Sequence, residues 1–161
     1  MAERTIVLKG DEVLGKRCRP VENFDERLQV LVNDMKDTLR AANGAGLAAP
    51  QVGVLRRLVI IDVGGGEQED YRVFVNPEII DQKGEQREIE GCLSCPNQWG
   101  ITVRPAWAKV RAQDEKGEFF EMEGEGLLAR AFCHELDHLD GILFEQRVTE
   151  WVEIKKEKKK K

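Results

Sequence analysis

The two histidines of the chain, His134 and His138, lie four residues apart, and Glu135 directly follows the first. On an α-helix, residues at i and i+4 project from the same face, one turn apart. Two imidazoles placed in this way can bind one divalent cation, and a glutamate beside them can accept a proton from water bound to that cation. The motif therefore predicts the active-site helix of a metal-dependent hydrolase. The alternative, two solvated histidines beside an unrelated glutamate, predicts no metal binding.

A catalytic metal site of this kind needs a third protein ligand and an open coordination position. Glu145 and Glu150 follow the motif, and either of them as third ligand would indicate a metalloprotease of internal peptide bonds. Upstream, Cys92 follows a glycine at the end of a predicted strand, where a thiolate can reach a metal held by the helix. A set of Cys92, Cys95 and the two histidines would instead form a closed structural zinc site, although its halves are farther apart than in a zinc finger. The residues alone leave these interpretations open.

Apolar spacing predicts two helices around which the other elements must be arranged. The first spans about Asp25–Ala41, where apolar side chains recur every three or four residues behind a capping aspartate. The helical period returns after Gly124, and Leu127 and Ala131 fall on the same face as the two histidines. The metal site should therefore face the core, and Gly141 is placed to cap the end of this helix.

Short β-branched or alternating segments between the two helices predict strands. These are Leu58–Val63, Tyr71–Val75, Gln86–Glu90, Ile101–Arg104, Ala108–Ala112 and Glu118–Glu123. The segment Asn43–Gln51 is expected to be a loop, because its two glycines free the backbone and Pro50 discourages a helix. We expect an α+β domain in which mostly antiparallel strands pack around a central metal-binding helix.

Composition limits the other classes of function. With 161 residues, 41% hydrophobic and 34% charged, the chain (1–161) is expected to form one domain. A net charge of −5 argues against a dedicated nucleic-acid site, and no apolar run approaches the ~20 residues of a membrane span. We expect a cytoplasmic protein with reduced thiols. The lysine-rich segment 155–161 is expected to be a flexible tail, or else an electrostatic tether to RNA or another polyanion.

Three segments of the chain together resemble the signature motifs of peptide deformylases, in the same order and with similar spacing. They are Gly44–Gln51, Glu90–Ser94 and His134–His138. The resemblance extends over nearly the whole chain. It implies removal of the formyl group from N-formylmethionine at the start of newly synthesised polypeptides, and transient contact with the ribosome. It also implies one divalent cation, Fe²⁺ in the native enzyme, which Zn²⁺, Ni²⁺ or Co²⁺ can replace.

The resemblance also implies a role for individual residues. The metal ligands would be Cys92, His134 and His138, and a metal-bound water would attack the formyl carbon. Glu135 would be the general base and then the general acid, while the side chain of Gln51 and the backbone N–H of Leu93 would stabilise the oxyanion. The residues implied to bind substrate are Gly44, Ala45, Gly46, Ile89, Glu90, Leu127, Arg130 and Ala131.

Three residues depart from what is usual in the family. Ala45 is smaller than the valine or isoleucine often found between the two glycines, Arg130 replaces an apolar pocket residue, and Cys133 replaces a glutamine. None of these changes removes a metal ligand, the glutamate or the oxyanion glutamine. We therefore expect the chemistry to be retained, whereas these residues leave the side-chain preference open. They also leave open another formyl or acyl amine as the substrate.

Overall fold

The structure, a computed structural model, describes residues 2–64 and 68–153. The described helices are α1 (Glu26–Ala42) and α2 (Leu127–Leu139). The strands are β1 (Gly46–Ala48), β2 (Leu58–Asp62), β3 (Tyr71–Lys83), β4 (Gln86–Cys92), β5 (Cys95–Arg104), β6 (Trp107–Gln113), β7 (Phe119–Glu125) and β8 (Val148–Val152). The predicted lysine-rich tail lies outside the described residues. No helix in the described part of the chain is long and apolar enough to cross a membrane.

Local sequence determines where α1 begins and where α2 ends. The side chain of Asp25 accepts the backbone N–H of Leu28 at 3.1 Å and so caps α1, as its position predicts. At the end of α2, Gly141 has a φ of +76°, and the N–H of Ile142 donates to the carbonyl of Asp137. This is the Schellman arrangement that glycine favours. A Cβ at Gly141 would lie 2.6 Å from the carbonyl oxygen of Gly15, so the position also requires glycine.

The strands form two antiparallel sheets. The larger has the order β1-β2-β3-β6-β7, and the smaller has the order β4-β5-β8. All six predicted strands are present, and β3 and β5 are much longer than predicted. These findings confirm the predicted α+β class with mostly antiparallel strands.

Two strands, β1 and β8, were not predicted, and Asn43–Gln51 is therefore not wholly a loop. β1 has only three residues, all buried, and forms by pairing with β2 at one edge of the larger sheet. A short 3-10 turn, Ala49–Val52, follows it. β8 pairs with β5, and most of its side chains are exposed, so its sequence carries no clear apolar alternation. Both strands depend on a partner that is distant in the sequence.

The larger sheet is covered on both faces. Leu58 and Ile60 of β2 pack with the apolar side of α1, whereas Val59 and Ile61 pack with α2. On the α2 side, the rings of Phe132 and Phe74 meet edge to face with centroids 5.7 Å apart. The opposite side of α2 contacts β4 and β5 through polar side chains. Helix α2 therefore lies between the two sheets, with one apolar and one polar interface.

We predict that Phe132→Ala lowers the free energy of unfolding by about 3–5 kcal/mol, because the ring is fully buried against Phe74 and its removal leaves a cavity. Urea denaturation of the metal-free protein would measure the change. Phe119→Ala is the matched control, since that ring is 62% exposed and should cost less than about 1 kcal/mol. Equal losses for the two variants would contradict the packing described here.

Candidate active site

Three potential metal ligands meet where the end of β4 approaches α2. The ligand atoms of Cys92, His134 and His138 all lie within 4.8 Å of one another. The Sγ of Cys92 is 3.4 Å from the Nε2 of His138. Cys92 is the last residue of β4, and the two histidines occupy consecutive turns of α2, as their spacing predicts. One sulfur and two imidazole nitrogens therefore converge on one point.

The residues that distinguish the two rival ligand sets do not join this group of ligand atoms. The Oε1 of Glu145 forms an ion pair with the Nζ of Lys9 at 2.6 Å, and Glu150 is exposed on β8. Among the described residues, neither of them nor Cys95 belongs to the group of ligand atoms around the histidines. The geometry therefore favours a three-ligand set of Cys92, His134 and His138 over the metalloprotease and closed zinc interpretations.

A buried carboxylate orients the first histidine. The Oε2 of Glu90 lies 2.5 Å from the Nδ1 of His134, which leaves the Nε2 of that ring for a cation. Glu90 also accepts hydrogen bonds from Thr102 at 2.7 Å and from two nitrogens of Arg104 at 3.1 and 2.6 Å. Burial alone would raise the pKa of Glu90, but the bonds to His134 and Arg104 outweigh it and lower that pKa. Glu90 is therefore held as a carboxylate at neutral pH.

This network continues to the protein surface. The Nη1 of Arg104 donates to Asp137 at 3.0 Å, and Asp137 also accepts two bonds from Arg147 at 3.0 and 3.1 Å. Asp137 is thus linked to His134 through Arg104 and Glu90, and is not simply a solvated helix residue. Sequence analysis missed Arg104, Thr102 and Arg147. Thr102 and Arg104 gave one signal in the sequence, a polar side chain at alternate positions of a predicted strand. Arg147 gave none.

Glu135 is enclosed beside the ligand group. Its side chain is only 5% exposed, and its Oε1 has no hydrogen-bond partner among the described residues. Burial raises the pKa of this carboxyl to about 7. A Cβ at Gly46 would lie 2.6 Å from the Oε2 of Glu135, so glycine is required there for the carboxylate to fit. A partnerless carboxylate at this place favours a nearby proton or cation.

Two further polar groups surround Cys92. The Oε1 of Gln51 accepts the backbone N–H of Ala48 at 2.9 Å, so its Nε2 points the other way. That nitrogen donates to the Oγ of Ser94 at 3.1 Å and lies 3.8 Å from the Sγ of Cys92. Leu93 lies in the two-residue turn that joins β4 to β5. The structure therefore brings Gln51 and Leu93 to the same place as the three potential ligands.

The chemistry of the donor set fits one divalent cation. A cysteine with two histidines suits both zinc and iron(II), and leaves an open position. Burial lowers the pKa of His138 well below its ordinary value, which keeps this imidazole neutral as a ligand must be. Contact with Cys95 and burial raise the pKa of the Cys92 thiol, so a thiolate there needs a positive charge to stabilise it. A bound cation would supply that charge.

A cavity of about 530 Å³ opens beside the ligand group. All eight residues implied to bind substrate line it, namely Gly44, Ala45, Gly46, Ile89, Glu90, Leu127, Arg130 and Ala131. Glu90 is only 6% exposed, and its carboxylate is occupied by Arg104, Thr102 and His134, so it does not present this group to the cavity. Ile89 and Leu127 are 46% and 53% exposed and present apolar surface to an incoming chain.

Arg130 and Trp99 give this cavity features of its own. The guanidinium of Arg130 donates to Gln86 and to the carbonyl of Ile89, both at 3.2 Å, so it is held in the wall by neutral groups. Trp99, which sequence analysis missed, lies over Gly91, where a Cβ would meet its ring at 2.5 Å. Opposite Gly91, β5 contains three extra residues, and these form a β-bulge. No local pattern in the sequence predicts a bulge of that size.

Comparison with known proteins gives one consistent result. Residues 3–153 match the family model for polypeptide deformylase. The chain is 55% identical over 152 residues to the peptide deformylase of Caldicellulosiruptor bescii, covering 94% of this chain and 89% of that protein. It is 54% identical over 149 residues to that of Clostridium botulinum, covering 92% and 99%.

Solved structures agree with this result. A peptide deformylase from Legionella pneumophila has a TM-score of 0.88 and 48% identity, covering 92% of this chain and 87% of that one. One from Thermotoga maritima has a TM-score of 0.87 and 40% identity, covering 92% and 99%.

We predict that Glu90→Gln lowers the affinity for a divalent cation by about 10- to 100-fold, because the amide cannot replace the charged acceptor that orients His134. Competition with a chromophoric chelator, in protein shown to be folded by circular dichroism, would measure the affinity. Glu88→Gln, an exposed change on the same strand, is the control. Unchanged affinity in Glu90→Gln would contradict the orienting role.

The ligand set makes a second prediction. Cys92→Ser should lose most of the bound cation because it replaces one of three donors, whereas Cys95→Ser should still bind one cation per chain. Elemental analysis after dialysis would measure the stoichiometry. Loss of the cation in both variants would instead favour the closed zinc site. Retention in Cys92→Ser would favour a carboxylate ligand such as Glu145.

Proposed function

The chain belongs to the polypeptide deformylase family of hydrolases, and we propose that it removes the formyl group from the N-terminal formylmethionine of newly synthesised polypeptides and releases formate. The observation that carries this proposal is the partnerless, buried carboxylate of Glu135 beside the converging ligand atoms of Cys92, His134 and His138. A hydrolase of a small acyl group needs this combination of a cation site and a proton carrier.

Cys92, His134 and His138 would hold one divalent cation, which we propose is Fe²⁺ in the cell, with Zn²⁺, Ni²⁺ or Co²⁺ as replacements. The mixed sulfur and nitrogen donor set supports this range of ions. When bound, the cation would lower the pKa of a coordinated water towards neutrality and so supply a nucleophile at physiological pH. Glu90 would keep the Nδ1 of His134 occupied, so that this ring can bind only through its Nε2.

Glu135 would move the proton. Its Oε1 is buried and without a partner, so it can accept a proton from the attacking water. Burial raises its pKa to about 7, which supports a role in which the carboxyl is charged and protonated in turn. The same oxygen would then donate this proton to the leaving amine as the bond between the formyl carbon and the nitrogen breaks. One carboxyl would thus be base and acid in turn.

Gln51 and Leu93 would stabilise the negative charge that develops on the formyl oxygen. The bond from the N–H of Ala48 fixes the orientation of the Gln51 amide, so its Nε2 is directed to the ligand group before substrate arrives. Donors that are oriented in advance require no reorganisation during the reaction, and loss of one typically costs about 10²–10³ in rate. Ser94 would hold the same Nε2 until substrate replaces it.

The edge of the larger sheet offers a place for the peptide. Among the described residues, β1 is the edge strand and pairs with β2 alone, which leaves its other side for an extended chain. We propose that the substrate backbone pairs with Gly44–Gly46 as an added strand. The methionine side chain would then enter the cavity between Ile89, Leu127 and Ala131. Contact with the ribosome and a cytoplasmic location remain predictions from the sequence.

The proposed function is tested by formate release from formyl-Met-Ala-Ser with protein loaded anaerobically with Fe²⁺ or Ni²⁺. We expect turnover by the wild type and a loss of at least about 10² in kcat for Glu135→Gln, because the amide cannot carry the proton. Glu88→Gln, exposed and outside the cavity, is the control. Acetyl-Met-Ala-Ser and an unblocked peptide with internal bonds serve as alternative substrates. Absence of formate, or cleavage of internal bonds, would overturn the proposal.

A further inference from the structure

Cys92 and Cys95 are cross-strand neighbours where the hairpin of β4 and β5 closes. Only Leu93 and Ser94 separate them in the chain. Side chains of such partners lie on the same face of the sheet with Cβ atoms about 4.5–5.5 Å apart, and their Cα atoms are about 4.5 or 5.5 Å apart. A disulfide needs Cα atoms about 4.4–6.8 Å apart. The cross-strand register therefore places the two Cα atoms within the range that a disulfide spans.

The two thiols line the same cavity but differ in their access to solvent. Both line the substrate cavity, and Cys92 is the more exposed of the two, since Cys95 is only 2% exposed. The remaining cysteines lie apart from this cavity: Cys18 is buried in the core, and Cys133 lines a separate cavity beside Arg57. A small oxidant that enters the substrate cavity thus meets Cys92 first and finds only one thiol placed to react next.

We propose that Cys92 and Cys95 form a reversible intrachain disulfide when the protein meets a hydroperoxide. The sulfur of Cys92 attacks one peroxide oxygen, which breaks the O–O bond and gives a sulfenic acid and water (or an alcohol). The thiol of Cys95 then attacks that sulfenic sulfur, forms the S–S bond and releases a second water. Two thiols lose two electrons in total, and one peroxide gains them.

Cys95 therefore determines how far Cys92 is oxidised. A sulfenic acid without a neighbouring thiol proceeds to sulfinic and sulfonic acids, which ordinary thiols do not reduce. Because Cys95 lies across the two-residue turn from Cys92, the disulfide forms before the sulfenic acid is oxidised further. Because it faces the cavity, a small dithiol can attack it and restore both thiols. In the disulfide Cys92 no longer offers a thiolate, so the site would release its cation. This last step rests on the proposed function, whereas formation of the disulfide does not.

The experiment treats anaerobically prepared, Ni²⁺-loaded wild type and Cys95→Ser with a small excess of hydrogen peroxide. The tryptic peptide 88–109 contains Cys92 and Cys95 and no other cysteine. In the wild type we expect this peptide to lose two hydrogen atoms, and a chromophoric chelator to report release of the cation. Reduction with a dithiol should then restore both thiols and the binding of one cation per chain. In Cys95→Ser we expect the peptide to gain two or three oxygen atoms at Cys92, with no recovery on reduction.

Cys133→Ser is the matched control and should behave as the wild type does. Cys95→Val provides a second variant without a thiol, should the serine at this buried position impair folding. The proposal is overturned by a wild-type peptide with oxygen added at Cys92 and a free Cys95, by a bridge to another cysteine, by no oxidation, or by full recovery of Cys95→Ser. Formate release by the untreated protein is measured separately, so failure of the disulfide and failure of the proposed function are distinguishable.

Discussion

The buried ion pair between Glu90 and Arg104 is the interaction on which the site depends. Both side chains are almost completely removed from solvent, at 6% and 4% exposure, so each charge needs the other to be stable there. Glu90 belongs to β4, Arg104 to β5, and their further partners His134 and Asp137 belong to α2. One polar cluster therefore joins the smaller sheet to the helix that carries two of the potential ligands.

This arrangement explains the two unlike interfaces of α2. Towards the larger sheet, the helix packs apolar side chains such as Phe132 and Leu139, which stabilise it without fixing a precise rotation. Towards the smaller sheet, hydrogen bonds between charged groups have strict distances and directions. The apolar interface thus supplies stability, and the polar interface sets the register of the histidines relative to Cys92. A site with ligands from two elements needs both contributions.

The sequence predicted the parts of this structure that have a local cause. Helices α1 and α2 follow from apolar period, and the meeting of His134 and His138 follows from helical geometry. Strand β1 is too short for any periodicity, and β8 lacks apolar alternation, so both become visible only through their partners. The contact of Arg104 with Glu90 depends on the register of β4 against β5, and that register is a tertiary property. The likeness to a known family selected Cys92 from the alternatives that the residues left open, and it alone indicated the role of Gln51.

The open edge of β1 has a consequence for the timing of the proposed reaction. A chain that adds to a sheet edge must be fully extended, and its backbone N–H and C=O groups must not yet be bonded to one another. An N-terminus that has already joined a helix or a sheet of its own protein cannot meet this condition. Removal of the formyl group would then compete with the folding of the substrate. The enzyme would act on a chain end only during the interval before that end folds.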